Sequence, residues 1–398
     1  MAQAAVLTKS RISSIDLLRG LVMVIMALDH VRDYFHAQAM TGDPTNLETT
    51  TPILFFTRWI THFCAPVFVF LSGTSIYLQG LRKTRPALSL FLFKRGLWLI
   101  LAEFFIITLG WTFDPFYHIF FLQVIWVIGV SMVFMSLLIR LPFPVILAVG
   151  LAIVFGHNLI DYTEAAPGFH ANLVWDLVHH QGGFKLYPVF GNHALLILYP
   201  FGPWIGVMTL GYCLGKLFEP GVTAERRKKE LFQLGFGIVV FFIFLRFSNT
   251  YGDKSHWSAQ RNGLYTILSF LKTTKYPPSL LYLCMTLGPA IVALAVFENL
   301  RNRAASFFMV FGRAPFFYYI MHLFLIHFLL VICFYLSGYG SKDIVPDSSP
   351  FLFRVTGFGF SLRIVYLIWI ALILTLYPFC RWYDRYKSTH KNWWLSYL

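Results

Sequence analysis

Charge is scarce in this chain. Asp, Glu, Lys and Arg make up 13% of its 398 residues, about half the ~25% usual in soluble domains. Hydrophobic residues reach 57% and aromatics 19%, more apolar surface than a water-soluble fold of this length can hide. A soluble protein is excluded. Acidic residues are the scarcer sign, 18 against 32 Lys and Arg. In so apolar a chain the net +14 reads as basic loops at a bilayer surface, and no nucleic-acid partner is expected. Cysteine is also rare. Cys64, Cys213, Cys284, Cys333 and Cys380 lack the pairing or spacing of a disulfide framework or zinc site and read as buried thiols. There is no internal repeat, phosphate-cradling glycine loop, serine-nucleophile elbow or zinc-protease motif. No metal is expected.

What the chain has instead is long apolar runs. A spanning helix needs about 20 mostly apolar residues, and ten stretches qualify: Ile15–Phe35, Phe55–Gln79, Leu90–Thr112, Phe116–Ile139, Pro142–Ile160, Leu195–Phe218, Leu231–Phe247, Pro278–Phe297, Pro315–Leu336 and Leu362–Phe379. The predicted fold is an all-α polytopic membrane protein, its helices bundled around a tunnel or cavity in a lipid bilayer. With the N-terminus inside, 20 basic residues fall on the cytoplasmic side, from Lys9 and Arg11 to Arg385, Lys387 and Lys391, against 11 outside. Both termini are therefore expected in the cytoplasm. The first run, followed by Ala37-Gln38-Ala39, has the outline of a cleavable signal. The dense Asp29-His-Val-Arg-Asp33 cluster before that point favours a retained anchor.

That first run carries the strongest chemical signal. Asp16, Arg19, Asp29, His30 and Asp33 are ionisable groups in or at the ends of a spanning segment, where such groups are costly and usually functional. Arg19 and His30 are eleven positions apart, which is about 20° from three whole turns and a rise of about 16.5 Å. Both lie on one face, together with Asp16, Met23, Met26 and Asp33, while Asp29 points elsewhere. Two readings follow. In one, the face is a polar seam in which Asp16 pairs with Arg19 and Asp33 with His30. In the other, His30 is a general base or nucleophile at the extracytoplasmic end of a tunnel, with Arg19 near its cytoplasmic mouth.

Arg19 and His30 at this spacing resemble the signature of membrane acyltransferases that use acyl-CoA. Ser14-Ile-Asp-Leu-Leu-Arg-Gly20 and Phe63-Cys-Ala-Pro-Val-Phe-Val-Phe-Leu-Ser-Gly73 narrow the likeness. So do Pro203-Trp-Ile-Gly206, Tyr276-Pro-Pro-Ser-Leu280 and Phe311-Gly-Arg-Ala-Pro315. The chain resembles the bacterial relatives of heparan-α-glucosaminide N-acetyltransferase over most of its length. The resemblance implies a helix bundle that takes acetyl-CoA from the cytoplasm and acetylates an amine or hydroxyl of a sugar or glycan on the other side. The family's active-site histidine maps onto His30. A neutral His30, oriented by Asp33 or Asp29, would take a proton from the acceptor, or would carry the acetyl group transiently.

Other residues have a functional and a plainer role open to them. Arg95, in the basic set Arg82, Lys83, Arg85, Lys94 and Arg95, and Arg313, before Pro315, are placed to meet CoA phosphates or simply to contact lipid headgroups. His62, at about the depth of His30, either contacts the acceptor or is a satisfied buried histidine. His322 and His327 fall on different faces of one helix, which disfavours a shared site. Glu103, alone in its segment, is expected to pair with a neighbour's histidine or arginine. In the long external loop His157–Asn192, Asp176, His179 and His180 have a spacing a metal can use, but an acceptor-binding loop is the better expectation. A homodimer is compatible with the chain. The competing class is a transporter or channel with a proton-relay Asp29-His30, which the absence of paired, broken half-helices disfavours.

Overall fold

The computed structural model describes residues 12–39, 42–180, 184–344, 350–355, 357–390 and 392–396. Lys9, Arg11 and Lys391 of the basic count lie outside them. Helices dominate: α1 Ser13–Phe35, α2 Pro52–Thr61, α3 Cys64–Gly80, α4 Arg85–Ala102, α5 Thr108–Thr112, α6 Val124–Leu138, α7 Phe143–Gly156, α8 Ile160–Glu164, α9 Leu173–Val178, α10 Phe201–Leu214, α11 Ala224–Ser248, α12 Gly263–Leu271, α13 Leu280–Phe297, α14 Arg303–Arg313, α15 Pro315–Leu336 and α16 Leu362–Thr389. Each of the ten apolar runs contains a helix, as an all-α polytopic membrane protein requires. Six stretches among the described residues are long and apolar enough to cross a bilayer: Pro52–Gly80, Phe143–Glu164, Ala224–Ser248, Leu280–Phe297, Pro315–Leu336 and Leu362–Thr389. Outward-facing Leu101, Leu151, Phe244, Leu367 and Leu374 remain exposed, as lipid-facing side chains must.

Two runs are shorter as helices than the sequence suggests. The fourth opens as a strand, β1 Ile119–Leu122, and the sixth opens within another, β3 His193–Ile197. β1 pairs parallel with β3, and β3 pairs antiparallel with β2 Lys185–Phe190. An apolar stretch of four or five residues looks the same whether it extends a helix or forms a buried strand. The break before β1 is made by Asp114, whose carboxylate accepts from the backbone N–H groups of Phe116 and His118 at 2.9 and 2.8 Å. Glu103 is likewise corrected. Among the described residues it pairs with no histidine or arginine but caps the start of α6, accepting from the N–H groups of Gln123 and Trp126 at 3.1 and 2.9 Å, donors that a helix N-terminus leaves unmet.

α1 is the central post. It packs against α2, α3, α13, α14, α15 and α16, and most of its residues are buried. The closest approach is to α14, where a side chain on Gly20 would overlap the Phe308 carbonyl and one on Gly312 the Asp16 carbonyl. Only hydrogen at Cα fits between backbones at that distance, the usual basis of close helix packing in lipid.

Candidate functional site

The depth of α1 fixes His30. Its ring meets Trp111 edge-on with centroids 4.6 Å apart, and its Nδ1 lies 2.7 Å from His322 Nε2 on α15. The other nitrogen of His322, Nδ1, lies 2.9 Å from the Tyr318 carbonyl oxygen. A carbonyl only accepts, so His322 Nδ1 carries the proton and its Nε2 presents a lone pair. His30 must then donate from Nδ1, which leaves the basic lone pair on its own Nε2. That is the tautomer a proton acceptor needs, and backbone geometry sets it.

His30 lies in the wall of a cavity of about 1090 Å³. Asp29, Asp33, Arg58, His62, Lys275 and Tyr276 also line it, with Trp111, Tyr319 and Phe121 as apolar walls. Phe184 of the hairpin approach and Leu186 of β2 complete the side formed by the sheet. The volume exceeds that of a typical small-ligand pocket. A cavity of this size with both apolar and charged walls suits a polar molecule of several rings.

Neither carboxylate expected to orient His30 hydrogen-bonds to its ring. Arg32 takes Asp29 at 2.9 Å and Asp33 at 2.6 Å, and Arg58 of α2 forms a second ion pair with Asp29. The reason is local. Arg32 lies three residues from Asp29 and next to Asp33, so its planar fork reaches both, whereas His30 has already committed Nδ1 to α15. The expected Asp33–His30 pairing is therefore replaced by a buried network of two acids and two arginines. At the rim, burial would push the Tyr276 phenol up, but the Lys275 ammonium and Arg58 guanidinium outweigh it and hold the group below the ordinary phenol range. The cavity thus carries a positive field on this side. His62 does share the cavity with His30. Its carbonyl accepts from the Tyr282 hydroxyl at 2.7 Å, while its Nδ1 has no hydrogen-bond partner among the described residues.

The three arginines expected to hold a nucleotide lie elsewhere, and among the described residues none lines the cavity. Arg19 pairs with Asp16 at 3.4 Å, as the spacing suggests, and also donates to the Gly312 carbonyl at 3.2 Å and the Ser75 hydroxyl at 3.1 Å. Arg313 approaches the same Asp16 at 3.7 Å and Asp384 at 3.5 Å. Arg95 is half-buried on α4, close enough for its charge to act on Tyr383. Tyr383 belongs to the small apolar cluster that includes Ala314, the residue after Arg313. All three mark the amino-terminal end of α1, opposite the cavity.

Sequence reasoning missed His322 and Arg58. His322 was separable from His327 by face, and the structure keeps them apart: His327 stacks on Phe113 with centroids 3.9 Å apart. The available signal was an ionisable group inside an apolar helix, the same one that singled out His30. Asp176, His179 and His180 do not gather. Asp176 faces His180 at 3.1 Å and Lys185 at 3.0 Å, while His179 turns toward Glu164.

Residues 11–244 match the family model described as heparan-alpha-glucosaminide N-acetyltransferase, catalytic. No curated protein matches the chain.

Proposed function

The chain belongs to the heparan-α-glucosaminide N-acetyltransferase catalytic family, and from that premise we propose that this acetyltransferase-type membrane enzyme moves an acetyl group from acetyl-CoA to an amine or hydroxyl of a sugar or glycan held in the cavity. The observation that carries the reading is the His30–His322 pair at 2.7 Å, which leaves His30 Nε2 basic at the wall of a large cavity with apolar and charged walls. The acceptor nitrogen or oxygen attacks the thioester carbonyl, and Nε2 removes its proton as the bond forms. The C–S bond then breaks and CoA leaves as thiolate, which takes up a proton. If His30 is itself the nucleophile, Nε2 forms the bond to the acetyl carbon and the acceptor displaces it in a second step. In either route His322 holds the ring. Asp29 and Asp33, held by Arg58 and Arg32, line the cavity beside the acceptor, where carboxylates bind sugar hydroxyls or an ammonium.

The same reading puts the amino-terminal end of α1 in the cytoplasm and the cavity outside, supported by the basic residues clustered around Arg82–Arg95, Arg226–Lys229 and Arg301–Arg313. The decisive assay uses vesicles with the protein oriented one way and labelled acetyl-CoA supplied on one face only. Label should reach an amino sugar on the opposite face. Hydrolysis or transfer confined to the donor's own face would sink the transmembrane reading, and uptake of an unmodified solute would favour a transporter.

Arg95, Arg313 and Arg19 are proposed to receive the nucleotide. Arg313→Ala and Arg95→Ala should each weaken CoA binding about tenfold, the value of one charge-assisted hydrogen bond, with kcat at saturation little changed. Titration calorimetry with CoA checks this. Wild-type affinity in both variants would place the nucleotide elsewhere.

A further inference from the structure

Outside the cavity, the chain builds a second polar cluster between the end of the α7–α8 segment and α9. One ligand atom from each of Asp161, Glu164 and His179 lies within 4.8 Å of the others. His157 Nδ1 comes within 3.5 Å of His179 Nε2. We propose that these residues form a zinc site, with Asp161, His179 and His157 as donors and Glu164 behind His179, orienting its ring.

Each group is already turned for the task. Glu164 uses Oε1 to accept from Trp175 Nε1 at 2.7 Å and from His179 Nδ1 at 3.0 Å. Its other oxygen, Oε2, has no hydrogen-bond partner among the described residues, although the side chain is only 5% exposed. Asp161 likewise spends Oδ2 on Asn158 at 2.7 Å and leaves Oδ1 facing His179 Nε2 at 3.9 Å. With Nδ1 of His179 donating to Glu164, its Nε2 is a lone pair. That lone pair, Asp161 Oδ1 and His157 Nδ1 converge at separations of 3.9 and 3.5 Å, close to the ~3.3 Å between ligand atoms of a tetrahedral zinc. Hydrogen bonds from Trp175 and Asn158, and the Glu164–His179 bond, have the form of the outer contacts that orient metal ligands. His157 also has an unpartnered nitrogen, Nε2, at 5% exposure of the residue. Two carboxylates packed on imidazoles need a balancing cation. Mixed imidazole and carboxylate donors select a zinc-class ion over calcium, which takes six or more oxygens.

The site would clip α8 to α9, whose chain continues through Phe184 and Leu186 into the cavity wall. Zinc would thus fix the rim without entering the chemistry at His30.

The test uses the full chain, purified, stripped with chelator and titrated with zinc chloride by calorimetry, with bound metal counted by elemental mass spectrometry. About one zinc per chain is expected. Glu164→Gln, which keeps the shape and the Trp175 contact, and His179→Ala should each weaken it by roughly 10- to 100-fold. Asp114→Asn, which breaks the separate carboxylate–histidine pair with His118, should leave it unchanged. Failure of the wild-type chain to bind zinc, retention of zinc by the Glu164 and His179 variants, or a response to calcium in place of zinc each overturns the proposal. The cluster is then a hydrogen-bonded network of carboxylates and imidazoles that takes no metal.

Discussion

His30→Ala is expected to remove acetyl transfer by at least the roughly 10²–10⁴-fold that a lost general base costs, in a chain that still folds and binds CoA. The Tyr318 carbonyl fixes the His322 proton on Nδ1, and His322 Nε2 fixes the His30 proton on Nδ1. The basic lone pair is therefore left on Nε2 of a ring that lines the cavity and has no carboxylate hydrogen-bonded to it. Loss should exceed that range if His30 carries the acetyl group, because no other route remains. His322→Gln should also slow turnover while leaving CoA affinity intact, and the double variant should be scarcely worse than His30→Ala alone, as residues acting as one unit are non-additive. Asp33→Asn should be milder, since Asp33 meets Arg32 and not the ring. Steady-state kinetics on purified, monodisperse protein decides between chemistry and structure. A stable His30→Ala chain with near-normal kcat defeats this mechanism, whereas poor expression with normal specific activity would make His30 a packing residue.

The largest structural effect is expected at the α1–α14 contact. Gly20→Ile should prevent α14 from docking, because the added side chain falls on the Phe308 carbonyl, part of a helix backbone that cannot swing aside. Overpacking a rigid interior costs typically about 1–3 kcal/mol, and a clash with backbone belongs at or above the top of that range. The same displacement would part Arg19 from the Gly312 carbonyl, so CoA binding should fall with stability. Gly237→Ile is the matched control, since nothing lies within 4 Å of a side chain built there. Thermal unfolding in detergent, read by size-exclusion elution, should show a large drop in Tm for Gly20→Ile and little change for Gly237→Ile. Equal melting of the two would mean that the α1–α14 contact is not what holds the bundle together.

Composition alone determined that the chain enters a bilayer, because 57% hydrophobic residues with 13% charged have no soluble solution. Helical periodicity on α1 determined that Arg19 and Asp16 meet, since three residues on one helix are neighbours in any fold. The cost of an ionisable group in lipid singled out His30 for the same local reason. What surrounds His30 was decided only by tertiary structure. Its partner is 292 positions away on α15, and Arg58 reaches Asp29 from a separate helix. The β1–β3 pairing also needed a strand partner more than 70 residues along the chain. Such contacts depend on which helix faces pack together, and an apolar run is hydrophobic on every side. In lipid, burial does not distinguish those faces, so sequence periodicity places a residue on its own helix but leaves open which neighbour it meets.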